Sequence, residues 1–103
     1  MVKEKFVIVW DDEALIEFQE ILEYLSERSI QVARLVKKSI LSNIKLILKS
    51  PYVFEMDKLK YEPDPFFRAF FAYNYRVGYQ IVIGSYEIRI LRIRHTSREP
   101  LNY

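Results

Sequence analysis

Hydrophobic residues first gather in a short run, Phe6-Val7-Ile8-Val9-Trp10, which ends at Asp11-Asp12-Glu13. A run of that length bounded by charge predicts a buried strand. The three acids then open a helix, where they cap its first turn and favour the positive end of its dipole. Ala14, Leu15, Phe18, Ile21, Leu22 and Leu25 recur at steps of three and four, so the helix is amphipathic to about Glu27. Ser29 can cap a second helix running to about Lys49, where Ser50-Pro51 stops it. On that helix Ala33, Val36, Ile40, Ile44 and Ile47 share one face, while Arg34, Lys38, Lys45 and Lys49 fall in another sector roughly 60° wide.

The pattern changes after Lys49. Residues 50–65 hold three of the four prolines and show no period, which predicts a connecting loop. From Phe66 onward aromatic and β-branched residues dominate, with Gly84-Ser85 as a two-residue turn. Between Tyr75 and Ile83 every odd position is apolar or aromatic, and every even position except Val82 is polar or glycine. Such alternation buries one face against the helices and leaves the other at least partly open, with Tyr75 and Tyr79 in the core. The expected fold is α+β in the order β-α-α-β-β-β, a helical hairpin packed on an antiparallel sheet. One domain over residues 1–103 accommodates it.

Composition narrows the chemistry. No cysteine is present, which excludes a disulfide framework, a thiolate metal site and thiol catalysis. A single histidine cannot build a multi-histidine metal site, and no glycine-rich phosphate loop occurs, so no metal or other cofactor is expected. The first residues lack an apolar leader and no apolar run reaches membrane-spanning length, which favours a cytosolic protein with no membrane partner. The net charge of +2 conceals segregation. Residues 1–27 carry two lysines against eight acids, whereas residues 28–60 carry eight bases against two acids. Residues 66–103 hold six arginines, no lysine, and only Glu87 and Glu99. That asymmetry suggests a basic working surface with an acidic region elsewhere; by charge alone, the equal alternative is that these groups simply solvate helix faces. The glutamates of the first helix read as its solvated face.

A two-residue turn at Gly84-Ser85 would set Gln80 opposite Arg89, Arg76 opposite Ile93 and Asn74 opposite His95. Alternation then puts Arg76, Gln80, Arg89 and His95 on one face, with Arg76 and His95 as diagonal neighbours. An arginine that holds a phosphate beside a histidine that exchanges protons would suit a phosphodiester. The plainer reading makes each arginine an ion-pair member and the histidine a strand terminator. Arg92 and Arg94 should face away from Arg76 unless a bulge intervenes.

With these residues in hand, the sequence resembles the RelE/ParE superfamily of type II toxin–antitoxin toxins, which includes plasmid stabilisation proteins. The resemblance covers nearly the whole chain. It takes in the opening strand with Trp10, "ILEYLSERS" between the helices and "SPYVFE" after them, and is most specific in "FRAFFAYNYRVGYQIVIGSYEIRILRIRHTSREP". It implies a small toxin neutralised by a separately encoded antitoxin, and two targets within one fold. RelE-like members cleave mRNA in the ribosome; ParE-like members poison DNA gyrase.

In "YRVGYQI", Arg76 holds the position of the RelE arginine that stabilises the reacting phosphate. Arg98 and Tyr103 approximate the C-terminal catalytic arginine and tyrosine, and His95 could act as the acid or base. The lysine pair of the preceding RelE strand is missing; only Arg68 stands in "FFRAFFAY". A three-residue loop near Ala72–Asn74 would bring Arg68 to the face of Arg76, and a two-residue loop would turn it away. Arg68, Gln80 and Arg89 are thus candidate substrate contacts, and Arg34, Lys38, Lys45 and Lys49 candidate contacts to ribosomal RNA. "IRILRIRH" looks more like the ParE ending. Convergence of Arg76, His95 and Arg98 favours ribosome-dependent mRNA cleavage, with the antitoxin, ribosome and message as partners. The alternatives are a gyrase inhibitor and an inactive toxin fold retained as a binding or plasmid-maintenance partner.

Overall fold

The computed structural model describes residues 5–98. Its elements are β1 (Val7–Trp10), α1 (Asp12–Arg28), α2 (Ile30–Lys49), β2 (Phe67–Ala72), β3 (Tyr75–Val82) and β4 (Glu87–His95). A 3-10 turn over Ile83–Ser85 joins β3 to β4. Element order and helix limits agree with the sequence reading. Ser29 caps α2 by accepting from the Val32 N–H at 3.2 Å. Asp11 occupies the cap position of α1 but makes no side-chain cap bond; its carboxylate lies 3.7 Å from Arg89 instead.

The sheet order is β1-β4-β3-β2. β2, β3 and β4 are antiparallel as expected, but β1 joins the edge of β4 in parallel, so the sheet is mixed. As an edge strand β1 is only half-buried, with Val7 exposed. Both helices cover one face of the sheet. The apolar stripe of α2, Ala33, Val36, Ile40, Ile44 and Ile47, is buried, and its last four members share one core cluster with Phe70, Tyr79, Ile81 and Ile88. Ile40, Ile47, Ile88 and Ile90 are each 0% exposed, and burying each stabilises the fold by roughly 1.5–3 kcal/mol. Trp10 stacks on Phe18 at 5.2 Å, and Phe54 from the long loop meets Phe70 at 5.1 Å, closing the two ends of the core.

Two features of the register decide where the arginines point. The β2–β3 turn has two residues, Tyr73 and Asn74, with Ala72 opposite Tyr75 and Tyr73 in the left-handed region at φ 55°. The β3–β4 connection is wider than a two-residue hairpin, yet it keeps Gln80 opposite Arg89 as expected. The ladder then slips between Gly78 and Tyr79, so that Tyr79 faces Ile90 while Gly78 faces Arg92. Leu91 is the extra residue of a β-bulge. Every side chain of β4 beyond it changes face relative to an unbroken ladder.

Candidate functional site

The face of the sheet away from the helices is open. Phe67, Ala69 and Phe71 of β2, Arg76 and Gly78 of β3, and Leu91, Arg92 and Arg94 of β4 floor a groove of ≈ 760 Å³. Its rim comes from the loop between α2 and β2, where Met56, Lys58, Leu59 and Lys60 stand over the sheet edge. That loop is tied down by main-chain bonds: Asp57 N–H donates to Phe67 O at 2.7 Å, and Ala69 N–H to Glu55 O at 3.3 Å. Residues 55–57 therefore act as a short extra strand that covers the edge of β2.

This anchoring carries Asp57 under the groove. Its side chain is 0% exposed and forms an ion pair and hydrogen bond with the Arg76 guanidinium, which is 21% exposed. Asp57 also accepts from its own loop at the Leu59 N–H, 2.9 Å away. Position 78 borders the pair: a Cβ there would make ordinary van der Waals contact, 3.7 Å from Asp57 Oδ2 and 3.8 Å from Arg76 Nη1. The bulge sets Arg94 directly opposite Arg76 and Arg92 opposite Gly78. Like charges at facing positions repel, and α1 compensates them. Glu17 Oε2 accepts from Arg92 Nε and Nη2 at 3.3 Å and lies 3.8 Å from Arg94 Nε, while Glu13 lies 3.5 Å from Arg92. Arg76, Arg92 and Arg94 line the groove, but carboxylates of the same chain already hold them.

The expected cluster of Arg76, Gln80, Arg89 and His95 is accordingly broken. Gln80 and Arg89 do face each other on the open side, at the end away from the groove, and Arg89 lies 3.1 Å from Glu87. His95 is the correction: the bulge pairs it with Tyr75, on the helix side, where the two rings meet edge-on at 5.3 Å. Its Nδ1 accepts the Ser97 N–H at 3.0 Å and lies 2.7 Å from Ser97 Oγ, so the imidazole closes the turn that ends β4. Arg76 and His95 therefore leave the sheet on opposite faces and are not diagonal neighbours, although His95, like Arg98, still borders the end of the groove. Arg92 and Arg94 take the face that the unbroken ladder would have denied them.

Arg68 is also turned away, because the β2–β3 turn is the two-residue form. It sits opposite Tyr79 on the helix side and donates to Pro65 O at 2.8 Å and Phe54 O at 2.8 Å. Beneath it the Tyr79 hydroxyl donates to Pro51 O at 2.8 Å, and burial pushes the phenol pKa up to about 12. Tyr75 is raised as well, by burial first and then by neighbouring Tyr24. Arg98 is exposed where the groove meets a second cleft, of ≈ 740 Å³, between the helices and the β2–β3 turn. Tyr103 lies outside the described residues. Arg34, Lys38, Lys45 and Lys49 are exposed on α2, roughly 150° around the helix from its buried stripe, and so across the molecule from the groove.

Sequence reasoning missed Asp57 and Glu17. Asp57 lies in an irregular loop without periodicity, whereas Glu17 looks like any other acid on a wet helix face. Among the described residues no group of three or more His, Asp or Glu side chains could hold a metal ion. No helix there is long and apolar enough to cross a membrane.

No curated protein sequence matches the chain. Solved structures do share the fold. The chromosomal ParDE toxin–antitoxin system of P. aeruginosa superposes with a TM-score of 0.66 at 16% identity, covering 89% of this chain and 97% of that one. The isolated E. coli RelE toxin gives 0.60 at 18% identity, over 93% and 88% of the two chains. A mutant E. coli RelE in complex with an antitoxin RelBc peptide gives 0.59 at 14% identity, over 91% and 85%. At these identities the structures establish the fold, while membership is set by sequence. The family model for the ParE toxin of the type II parDE toxin–antitoxin system matches residues 8–100, and the chain belongs to that family, as a toxin of the ParE/RelE type.

Proposed function

We propose that this toxin arrests growth as a ParE-like inhibitor of DNA gyrase, acting through a protein surface, and not by cutting messenger RNA in the ribosome. The observation that carries the reading is the buried pair between Arg76 and Asp57. Arg76 is the strand arginine on which phosphate stabilisation would depend. A phosphate entering the groove would meet a guanidinium whose charge a fully buried carboxylate already neutralises, and could draw it fully onto itself only by breaking that pair. Breaking one side of such a pair costs about 3–5 kcal/mol, because the other charge stays buried. The neighbouring β4 arginines are held by Glu13 and Glu17, and His95, the candidate acid or base, faces the helices.

Membership in the ParE family agrees with this reading, since fold alone is shared by both kinds of toxin. A cognate antitoxin, encoded with the toxin, is the second partner, and both would meet it in the cytoplasm. The deciding experiment pairs two purified reactions: gyrase supercoiling, and reporter translation on ribosomes. Inhibited supercoiling beside intact message is the expected result. Message cut within the decoding site beside unaffected gyrase would establish mRNA cleavage instead. Inactivity in both, with tight antitoxin binding, would indicate a toxin fold that has lost its activity.

A further inference from the structure

The chain distributes its charges unevenly between its two layers. On the sheet, Arg76, Arg89, Arg92 and Arg94 all have carboxylate partners within the same chain. On α2 the opposite holds. The helix contains no acid, and Arg34, Lys38, Lys45 and Lys49 are exposed with no ion pair among the described residues. Arg34 and Lys38, like Lys45 and Lys49, are four residues apart, the helical spacing at which like charges repel. The fold leaves that repulsion uncompensated along one straight ridge.

From this we infer that the outer face of α2 docks the phosphate backbone of duplex DNA. At 1.5 Å per residue the four cations span about 22 Å, in two couples whose members are about 6 Å apart along the axis. Seven residues, or about 10 Å, separate Lys38 from Lys45. That gap is close to the width of the B-DNA major groove, about 12 Å. One couple can therefore sit on each of the two backbones that flank the groove. A-form RNA sets its phosphates at other spacings, across a narrow major and a wide, shallow minor groove, and is therefore the comparison duplex in the test. Glu20, Glu23 and Glu27 are exposed on the adjoining α1 and repel phosphate there, so they limit the footprint to α2 and set its orientation. The ridge lies on the opposite layer from the groove, so DNA and a protein could be held together. In the gyrase reading, such a surface would meet the DNA that gyrase already holds, but the inference itself does not depend on gyrase.

The test uses the full-length toxin and a fluorescent duplex of about 20 base pairs, with binding followed by anisotropy from about 50 to 200 mM salt and no gyrase present. The wild type should bind in the range of about 10⁻⁴–10⁻⁶ M, with a logarithmic salt slope near −3.6 for four phosphate contacts. Replacing Arg34, Lys38, Lys45 and Lys49 together by Gln should abolish binding in this range while giving a folded protein whose melting temperature is no lower than that of the wild type. The couple Lys45→Gln and Lys49→Gln should lower the slope by about 2. Changing Glu20, Glu23 and Glu27 to Gln should tighten binding. No binding by the wild type, unchanged binding by the fourfold variant, or stronger binding to a ribosomal RNA helix than to the DNA duplex would each overturn the inference. Because gyrase is absent, failure here is distinct from failure of the gyrase reading.

Discussion

The Glu17 carboxylate accepts the backbone N–H of Ile93 at 2.9 Å, and so takes the place that β1 vacates when it turns into α1. β1 pairs with β4 only as far as Ile90. Beyond that point β4 would present a bare edge, with Arg92 and Arg94 beside it. Glu17 satisfies the edge through one oxygen and the arginines through the other. Glu17→Ala should therefore cost roughly 2–3 kcal/mol, read from the urea midpoint, because a hydrogen bond to a charged group is lost and an N–H is stranded. Glu17→Gln should cost less and keep the Ile93 amide protected from hydrogen exchange. Equal stability of Glu17→Ala and the wild type would refute the edge-capping role.

Arg68 serves the long loop. Its donors hold Pro65 O and Phe54 O, which fixes the segment carrying Asp57. Arg68→Ala should lower stability by about 1–3 kcal/mol, and any loss of growth arrest should follow the folded fraction measured by circular dichroism. Lost activity in a fully folded variant would show that Arg68 contacts a target.

Tyr79 gives the fold a dependence on alkaline pH. Its folded pKa, about 12, lies above the ordinary phenol value of 10, so the native state keeps its proton where the unfolded chain has lost it. Stability from this group is complete below pH 10 and falls as pH rises from 10 to about 12. Tyr79→Phe should lose about 1 kcal/mol at neutral pH, through the bond to Pro51 O, and show a shallower alkaline decline. A decline as steep as that of the wild type would assign the pH dependence elsewhere.

His95→Ala removes a turn clamp. It should leave growth arrest intact and cost about 1 kcal/mol, since only the local bonds to Ser97 and the contact with Tyr75 are lost. Abolished growth arrest with an unchanged melting curve would make His95 a catalytic group.

Much of this architecture could be read from the sequence. The five residues chosen for the core stripe of α2 are the five that are buried there, because a 3.6-residue period over twenty residues leaves little freedom. A two-residue turn at Gly84-Ser85 sets the expected register near the β3–β4 turn; the connection is wider, over residues 83–86, but it keeps the same pairs from Val82 and Glu87 to Gln80 and Arg89. The bulge was harder to find, yet it leaves a trace: Ile88 and Ile90 point inward at even positions, Ile93 at an odd one, and the apolar neighbours Ile90 and Leu91 mark the change of phase. That single inserted residue separates His95 from Arg76. The parallel entry of β1 and the burial of Asp57 have no comparable signal. Strand direction is set by where the helices return the chain, and Asp57 is bound to a residue 19 positions away.

In the gyrase reading Arg76 serves the fold and not a reaction. That role is tested most directly by replacing both members of the pair at once, Arg76→Met with Asp57→Leu. Arg76→Ala alone should destabilise the protein by about 3–5 kcal/mol, by leaving Asp57 charged and buried, whereas the apolar pair should cost less, about 1–3 kcal/mol for the Leu59 N–H that loses its carboxylate. The decisive quantity is the inhibition of gyrase supercoiling by this double variant. Inhibition equal to that of the wild type is the predicted result. A folded double variant without inhibition would contradict the account and place Arg76 in contact with the target.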